Sequence, residues 1–233
     1  FLAELDPGAA AFNIVSRTRL AGALDPVALE RAFAELIRRH EVLRTTFSVV
    51  EGRPVQVIHD DAPIDLALLD LARLPAAERE PALRAAREAV SRPFDLAVGP
   101  LIRARLLSSG PRDHLLLLGL HHIVSDAWTQ GILNREIGAL YAAFAAQRPS
   151  PLPELPLQYA DYAAWQRRFL AGDTLARLLG YWKQQLEGST GILELVGHLE
   201  QAFAIRIPPE DMTPANFDSI DAIGAYLARR LAT

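Results

Sequence analysis

The chain has no cysteine among its 233 residues, so it has no thiol nucleophile and no disulfide, and the redox compartment is left open. It has no excess of positive charge. The 24 Lys and Arg stand against 28 Asp and Glu, a formal net charge of -4 that offers no basic face for nucleic acid. No apolar run approaches the ~20 residues that a membrane-spanning helix needs. No secretory signal is visible, so a cytoplasmic chain with no membrane partner is expected. No phosphate-binding loop, dinucleotide fingerprint or serine-hydrolase elbow occurs. The first residue is Phe1 rather than Met, the start expected of a fragment or a trimmed chain.

What is present is apolar residue in quantity. Half the sequence is hydrophobic, enough for one large domain or two small ones. Charge is distributed unevenly: residues 189–233 carry six acids and three Arg, while residues 1–188 are close to neutral. An acidic tail on a near-neutral body points to two units.

Taken in order, Phe12–Leu20 alternates as a strand. Asp25-Pro26 opens a helix, with Asp as cap and Pro in the first turn, and Leu29, Phe33, Leu36 and Ile37 line one of its faces. Arg38, Arg39 and His40 suit that helix's negative end. Arg44–Phe47 begins a strand that turns at Gly52 and returns over Pro54–Ile58, leaving His59 as ordinary surface. Pro75–Ser91 is helical and is closed by Arg92-Pro93. Leu101–Leu107 alternates as a half-exposed strand whose Arg103 and Arg105 read as a solvated face. The turn at Ser108–Asp113 makes it a hairpin with the strand that follows. Arg148–Pro156, with four prolines, is an exposed crossover. Gln158–Leu170 and Asp173–Leu186 read as helices, with Trp165 and Trp182 as packing anchors.

The chemistry concentrates in His114–Trp128. Leu115–Leu120 is a short, nearly unbroken apolar run, the pattern of a strand covered on both faces, and it gives out at His121 and His122. Successive strand side chains face opposite ways, so the two histidines divide: one faces the chemistry and the other packs or braces. From Asp126, placed as an N-cap, helical spacing takes over through Trp128, Ile132, Ile137, Leu140, Tyr141 and Phe144. Paired imidazoles at a helix entrance fit an acid–base site. The residues alone also allow a purely structural strand end. They allow a metal site as well, for which no further local ligand is present.

LHHIVSDAW resembles the HHxxxDG motif of the condensation domains of nonribosomal peptide synthetases. RRHEVLRTTF (Arg38–Phe47) resembles the same family's second core motif and YADYAAWQRR (Tyr159–Arg168) its fourth, in the family's order. Phe1–Ala11 resembles the tail of the first motif region. Ala127 departs from the family's Gly, and its methyl crowds the substrate channel without inactivating it. The resemblance implies a chloramphenicol-acetyltransferase-like α/β sandwich. It also implies amide formation between two carrier-tethered substrates, in which the acceptor's amine attacks the donor thioester without metal or nucleotide. On that basis His122 takes the amine's proton or holds the amine in line, and His121 is the brace. Asp126 orders the loop through an ion pair, and helix N–H groups after it favour the oxyanion.

GSTGILELVGHLEQAFAIRIPPEDMTPANFDSIDAIGAYL resembles the second half of an acyl or peptidyl carrier protein. Ile192, Leu195, Val196, Leu199 and Phe203 form one helical stripe. Ile220, Ile223, Leu227 and Leu231 form another, capped by Asp218 or Ser219. The resemblance places Ser189 where carriers bear 4′-phosphopantetheine, although Gly188 stands where they usually have Asp. The expected organisation is therefore a condensation N-terminal lobe over residues 1–187 and an all-α carrier-like segment over residues 188–233, with the junction inside 187–196. The implied partners are donor and acceptor carrier domains, their substrates and neighbouring synthetase modules. Two other readings stand beside this one: an acyltransferase using diffusible acyl-coenzyme A or an epimerising relative, and a lone lobe that only binds carriers. The second lobe and the carrier's first helix are not seen, so the chain alone is expected to be a poor catalyst.

Overall fold

A strand buried on both faces runs through the middle of the first part of the chain, and the helices are placed by what each of its faces needs. The computed structural model describes residues 10–64, 66, 68–186, 191–203, 205–217 and 219–231. The chain divides into two compact units, Phe1–Trp165 and Gln166–Thr233.

In the first unit, strands β1 (Asn13–Ala21), β4 (Leu68–Asp70), β5 (Ile102–Gly110) and β6 (Asp113–His121) form one sheet in the order β1-β6-β5-β4. Strand β6 pairs antiparallel with β1, Asn13 opposite His121, and antiparallel with β5, Ile102 opposite Leu120. Strand β4 joins β5 in parallel. Strands β2 (Thr45–Val50) and β3 (Arg53–Ile58) form a separate ribbon, closed by Glu51 and Gly52 at φ 51° and 74°. Positive φ at both central residues is the turn that matches strand twist.

The apolar run of β6 divides by parity. Leu116, Leu118 and Leu120 join a core with Phe33, Leu36 and Leu133. Leu117 points the other way, into a core with Leu107, Ala86 and Val90. Helices α1 (Pro26–Arg39) and α3 (Ala127–Ala145) cover the first face, and α2 (Ala76–Ser91) covers the second. Each fully buried Leu or Phe contributes about 1.5–3 kcal/mol. Gly119 shares Leu117's parity, and a Cβ there would lie 2.1 Å from the Val90 carbonyl oxygen. The absence of a side chain at 119 lets α2 approach the sheet.

Helix α1 begins as its sequence dictates: Asp25 accepts from the Val27 and Ala28 N–H groups at 3.0 and 3.1 Å, with Pro26 in the first turn. Its buried face carries the expected Leu29, Phe33, Leu36 and Ile37, and also Arg39, which is buried to 3% exposure.

Three expectations are corrected. Arg103 is only partly solvated: its guanidinium lies 3.8 Å from the Phe94 ring centroid and donates to the Arg92 and Pro93 carbonyls. Burial, then the neighbouring Arg92 and Arg105 charges, pull its pKa below the ordinary arginine value. Trp165 and Trp182 are not packing anchors, since they are 48% and 57% exposed. Trp128, counted on the apolar stripe of α3, is 81% exposed, and the buried residues there are Leu133, Leu140, Ala143 and Phe144.

Helix α4 (Tyr159–Phe169) crosses the boundary between the units. The second unit continues through α5 (Gly172–Leu186), α6 (Gly191–Phe203), α7 (Pro214–Phe217) and α8 (Ile220–Leu231). Val196, Ile207, Phe217 and Tyr226 are its buried core, flanked by Leu199 and Ile223 of the two expected stripes. Ser219, one of the two expected caps, accepts from the Ala222 N–H at 3.1 Å. Tyr226 donates its hydroxyl to Asp211 at 2.8 Å, so its one polar atom is satisfied at the edge of the core.

Candidate active site

Strand β6 ends where its backbone finds partners outside the sheet ladder. His121 N–H donates to the Leu101 carbonyl at 3.1 Å and His122 N–H to the Phe12 carbonyl at 2.7 Å. The chain then turns, with Val124 N–H donating to the His121 carbonyl at 3.1 Å, and α3 starts after Asp126.

The two imidazoles part as strand parity requires. His121 is 7% exposed, between the Phe12 and Phe94 rings, each 6.2 Å away by centroid. Its Nδ1 accepts from the Ile123 N–H at 3.1 Å, which leaves Nε2 to carry the proton of the neutral ring. Burial first and the neighbouring His122 second hold its pKa below 6.5, so it is neutral at ordinary pH. His122 is exposed.

Asp126 caps α3 by accepting from both the N–H and the hydroxyl of Thr129, each at 2.7 Å. Those two bonds, the hydroxyl's first, keep its carboxyl below the usual carboxylate range. The expected ion pair does not form: among the described residues the carboxylate's hydrogen-bond partner is the helix's own first turn.

His122 and Asp126 line a cavity of about 260 Å³. His40, Val42 and Leu43, from the segment that follows α1, line it too. Ile132 and Leu133 of α3 and Tyr159 at the start of α4 are also among its lining residues. Three stretches far apart in sequence, Arg38–Phe47, the histidine motif and the start of Tyr159–Arg168, thus meet on one hollow.

Sequence reasoning missed what holds them together. Glu136 of α3 receives Arg39 Nε at 3.3 Å and His40 Nε2 at 2.9 Å on one carboxylate oxygen. Gln158 donates its side-chain amide to the Arg39 carbonyl at 2.8 Å and accepts the Glu41 N–H at 3.1 Å. Arg39 also donates to the Leu152 carbonyl at 3.4 Å. A buried guanidinium requires a carboxylate from another element, and Glu136 supplies it here. Among the described residues no group of three His, Cys, Asp or Glu is placed to hold a metal ion. Ser189 lies outside the described residues.

The site thus consists of an exposed imidazole in a mixed α/β lobe, where a central strand gives way to a helix. The condensation-domain family matches residues 1–211, and the chain belongs to that family. Condensation domains of nonribosomal peptide synthetases form amide bonds. Chondramide synthase cmdD of Chondromyces crocatus is 50% identical over 188 residues, which cover 80% of this chain and 5% of that protein. Phosphinothricin tripeptide synthetase PhsC of Streptomyces viridochromogenes is 42% identical over 196 residues, 84% of this chain and 18% of that protein. Among solved structures, SgcC5 protein from Streptomyces globisporus is 31% identical with TM-score 0.62, over 76% of this chain and 40% of that one. The X-domain from teicoplanin biosynthesis is 33% identical with TM-score 0.66, over 75% of this chain and 38% of that one. The starter condensation domain of rhizomide synthetase RzmA, at 22% identity and TM-score 0.70 over 79% of this chain and 44% of that one, shares the fold. The chain therefore spans a small share of those two synthetases and about two fifths of the solved domains.

Proposed function

We propose that this chain supplies the histidine-bearing lobe of an amide-forming condensation domain, acting on aminoacyl or peptidyl thioesters tethered to carrier domains. The convergence of the three motif stretches on one cavity carries this reading. The acceptor's amine attacks the donor's thioester carbon. The C–N bond forms, the C–S bond breaks, and the amine's proton passes to His122 and on to the departing pantetheine thiolate. An exposed imidazole is suited to that transfer near neutral pH. His121, neutral and wedged between Phe12 and Phe94, fixes the strand end from which His122 projects. Asp126 acts through the cap of α3, whose first-turn N–H groups lie beside the cavity.

The chain organisation belongs to the same proposal: a condensation lobe over 1–187 and an all-α, carrier-protein-like segment over 188–233. Helix α6 begins two residues after Ser189, and a helix start favours a phosphodiester. The 4′-phosphopantetheine arm, where a carrier bears it, supplies the thiol that holds the substrate. No helix among the described residues is long and apolar enough to cross a membrane, and a cytoplasmic synthetase is the setting this reading assigns. Incubation with coenzyme A and a phosphopantetheinyl transferase, read by intact mass, tests Ser189. A mass gain that survives Ser189→Ala removes it.

The experiment for the main reading is His122→Ala in the complete synthetase, with both carriers loaded. Condensation is expected to fall about 10²-fold or more, the scale of a lost general base. Full turnover would refute the acid–base role. A second reading is that this lobe binds carriers without catalysing condensation. Dipeptide formed by the isolated chain would exclude that reading, and turnover of diffusible acyl-coenzyme A would favour the acyltransferase relative.

A further inference from the structure

We propose that His40 is an amine-binding residue of the cavity that His122 also lines, held in place by Glu136. The inference rests on the condensation reading and extends it to the acceptor substrate. His40 is the first residue past α1, and its backbone N–H closes that helix by donating to the Leu36 carbonyl at 3.0 Å. His40 lines the cavity that His122, Asp126 and Tyr159 also line. The ring cannot turn freely, because Nε2 lies 2.9 Å from a Glu136 carboxylate oxygen. A carboxylate only accepts, so Nε2 carries the proton and, in the neutral ring, Nδ1 is left as an acceptor. Among the described residues Nδ1 has no hydrogen-bond partner. The carboxylate is fixed in turn by Arg39, buried to 3% exposure, whose Nε reaches the same oxygen at 3.3 Å.

A helix-end staple needs only Arg39 and Glu136. The added imidazole, oriented by a carboxylate and facing a cavity, resembles the arrangement that fixes tautomer and direction in functional sites. Its free lone pair suits an N–H donor. In amide formation the group needing such an acceptor is the attacking amine, which must present its own lone pair to the thioester carbon while an N–H is held from another side. His122 takes the proton, and His40 orients the nitrogen that loses it.

Two substitutions separate binding from stapling. His40→Gln places an amide donor near Nε2, keeping the bond to Glu136 but not the Nδ1 acceptor. His40→Asn places its carbonyl near Nδ1 but does not reach Glu136. Both are assayed in the complete synthetase by varying the loaded acceptor and donor separately. His40→Gln is expected to keep the parental melting temperature and raise the acceptor KM about tenfold with donor KM unchanged. His40→Asn is expected to melt lower with the smaller KM change. A parental acceptor KM in His40→Gln, or a rise shared equally by both substrates, overturns the proposal. Should His40→Gln not fold, His40→Asn decides: an acceptor KM near parental supports it, and a tenfold rise overturns it. The parent is measured first. If the parent makes no amide, the condensation reading itself fails; if it does and KM stays fixed, only the role of His40 falls.

Discussion

Strand β6 and the segment that follows it are neighbours in sequence and opposites in construction. From Leu116 to His121 every residue of the strand is buried. Just beyond, His122, Asp126 and Trp128 are exposed. Apolar burial on two faces fixes the strand. The next turn is held by hydrogen bonds: the His122, Val124 and Ser125 N–H groups, the His121 Nδ1, the Ser125 hydroxyl and one capping carboxylate. The reactive part borrows its position from the rigid part. Changes in the first are expected to cost stability, and changes in the second activity.

The largest effects test the strand's supports. Phe33 is fully buried in the core under Leu116, Leu118 and Leu120, so Phe33→Ala is expected to cost about 3–5 kcal/mol, measured by denaturant unfolding. Gly119→Ala must push α2 off the sheet, because its Cβ would meet the Val90 carbonyl oxygen at 2.1 Å. Overpacking of that kind costs about 1–3 kcal/mol or more. Unfolding at parental denaturant concentration would show that α2 adjusts without cost.

The turn should behave the other way. His122→Ala, with its expected loss of about 10²-fold in condensation, should leave the melting temperature at the parental value. A drop in melting temperature comparable to that of Gly119→Ala would erase the contrast between the two segments. Asp126 is intermediate, since its carboxylate caps α3 through Thr129. Asp126→Ala should lower both melting temperature and turnover, while Asp126→Asn, which can still accept from the Thr129 N–H, should recover most of both. Lost turnover with an unchanged melt would move Asp126 from the scaffold into the mechanism.

Where one local rule governed a feature, the sequence sufficed to read it. The unbroken apolar run marked β6, and Asp25-Pro26 and Asp126 marked the starts of α1 and α3. Gly52 marked the ribbon's turn. What depended on distant partners was not legible. Strand β4 is three residues long, too short for a period, and exists because β5 offers it an edge. Arg103 looked like the outer half of an alternating strand until Phe94 and two carbonyls from the end of α2 came to cover it. Trp128 and Trp165 looked like core because they are large and apolar, although nothing in their own helices requires their burial. At the site, both histidines and Asp126 were named from sequence. His40 was read only as a favourable charge at a helix end, and Glu136 and Gln158 were not singled out, since nothing local ties residue 136 to residue 40 or residue 158 to residue 39.

The smallest expected effect sharpens the comparison at its boundary, between His121 and His122. Burial keeps the His121 pKa below the 6.5 of a free imidazole, which the unfolded chain regains. Above that pH the ring is neutral in both states and adds no pH dependence. As pH falls through about 6.5, the unfolded chain binds a proton that the folded chain resists, so stability decreases until the folded value is also passed. Melting temperature should therefore decline between about pH 7.5 and about pH 5.5, with part of the slope belonging to His121. His121→Asn removes the titration while offering an oxygen near Nδ1 for the Ile123 N–H, so its slope should be shallower than the parent's. His122→Ala removes only a secondary contributor to the His121 shift and should keep most of the slope. Equal slopes in the parent and His121→Asn would assign the acid sensitivity to another group and show that the imidazole takes up its proton equally in the folded and unfolded chain.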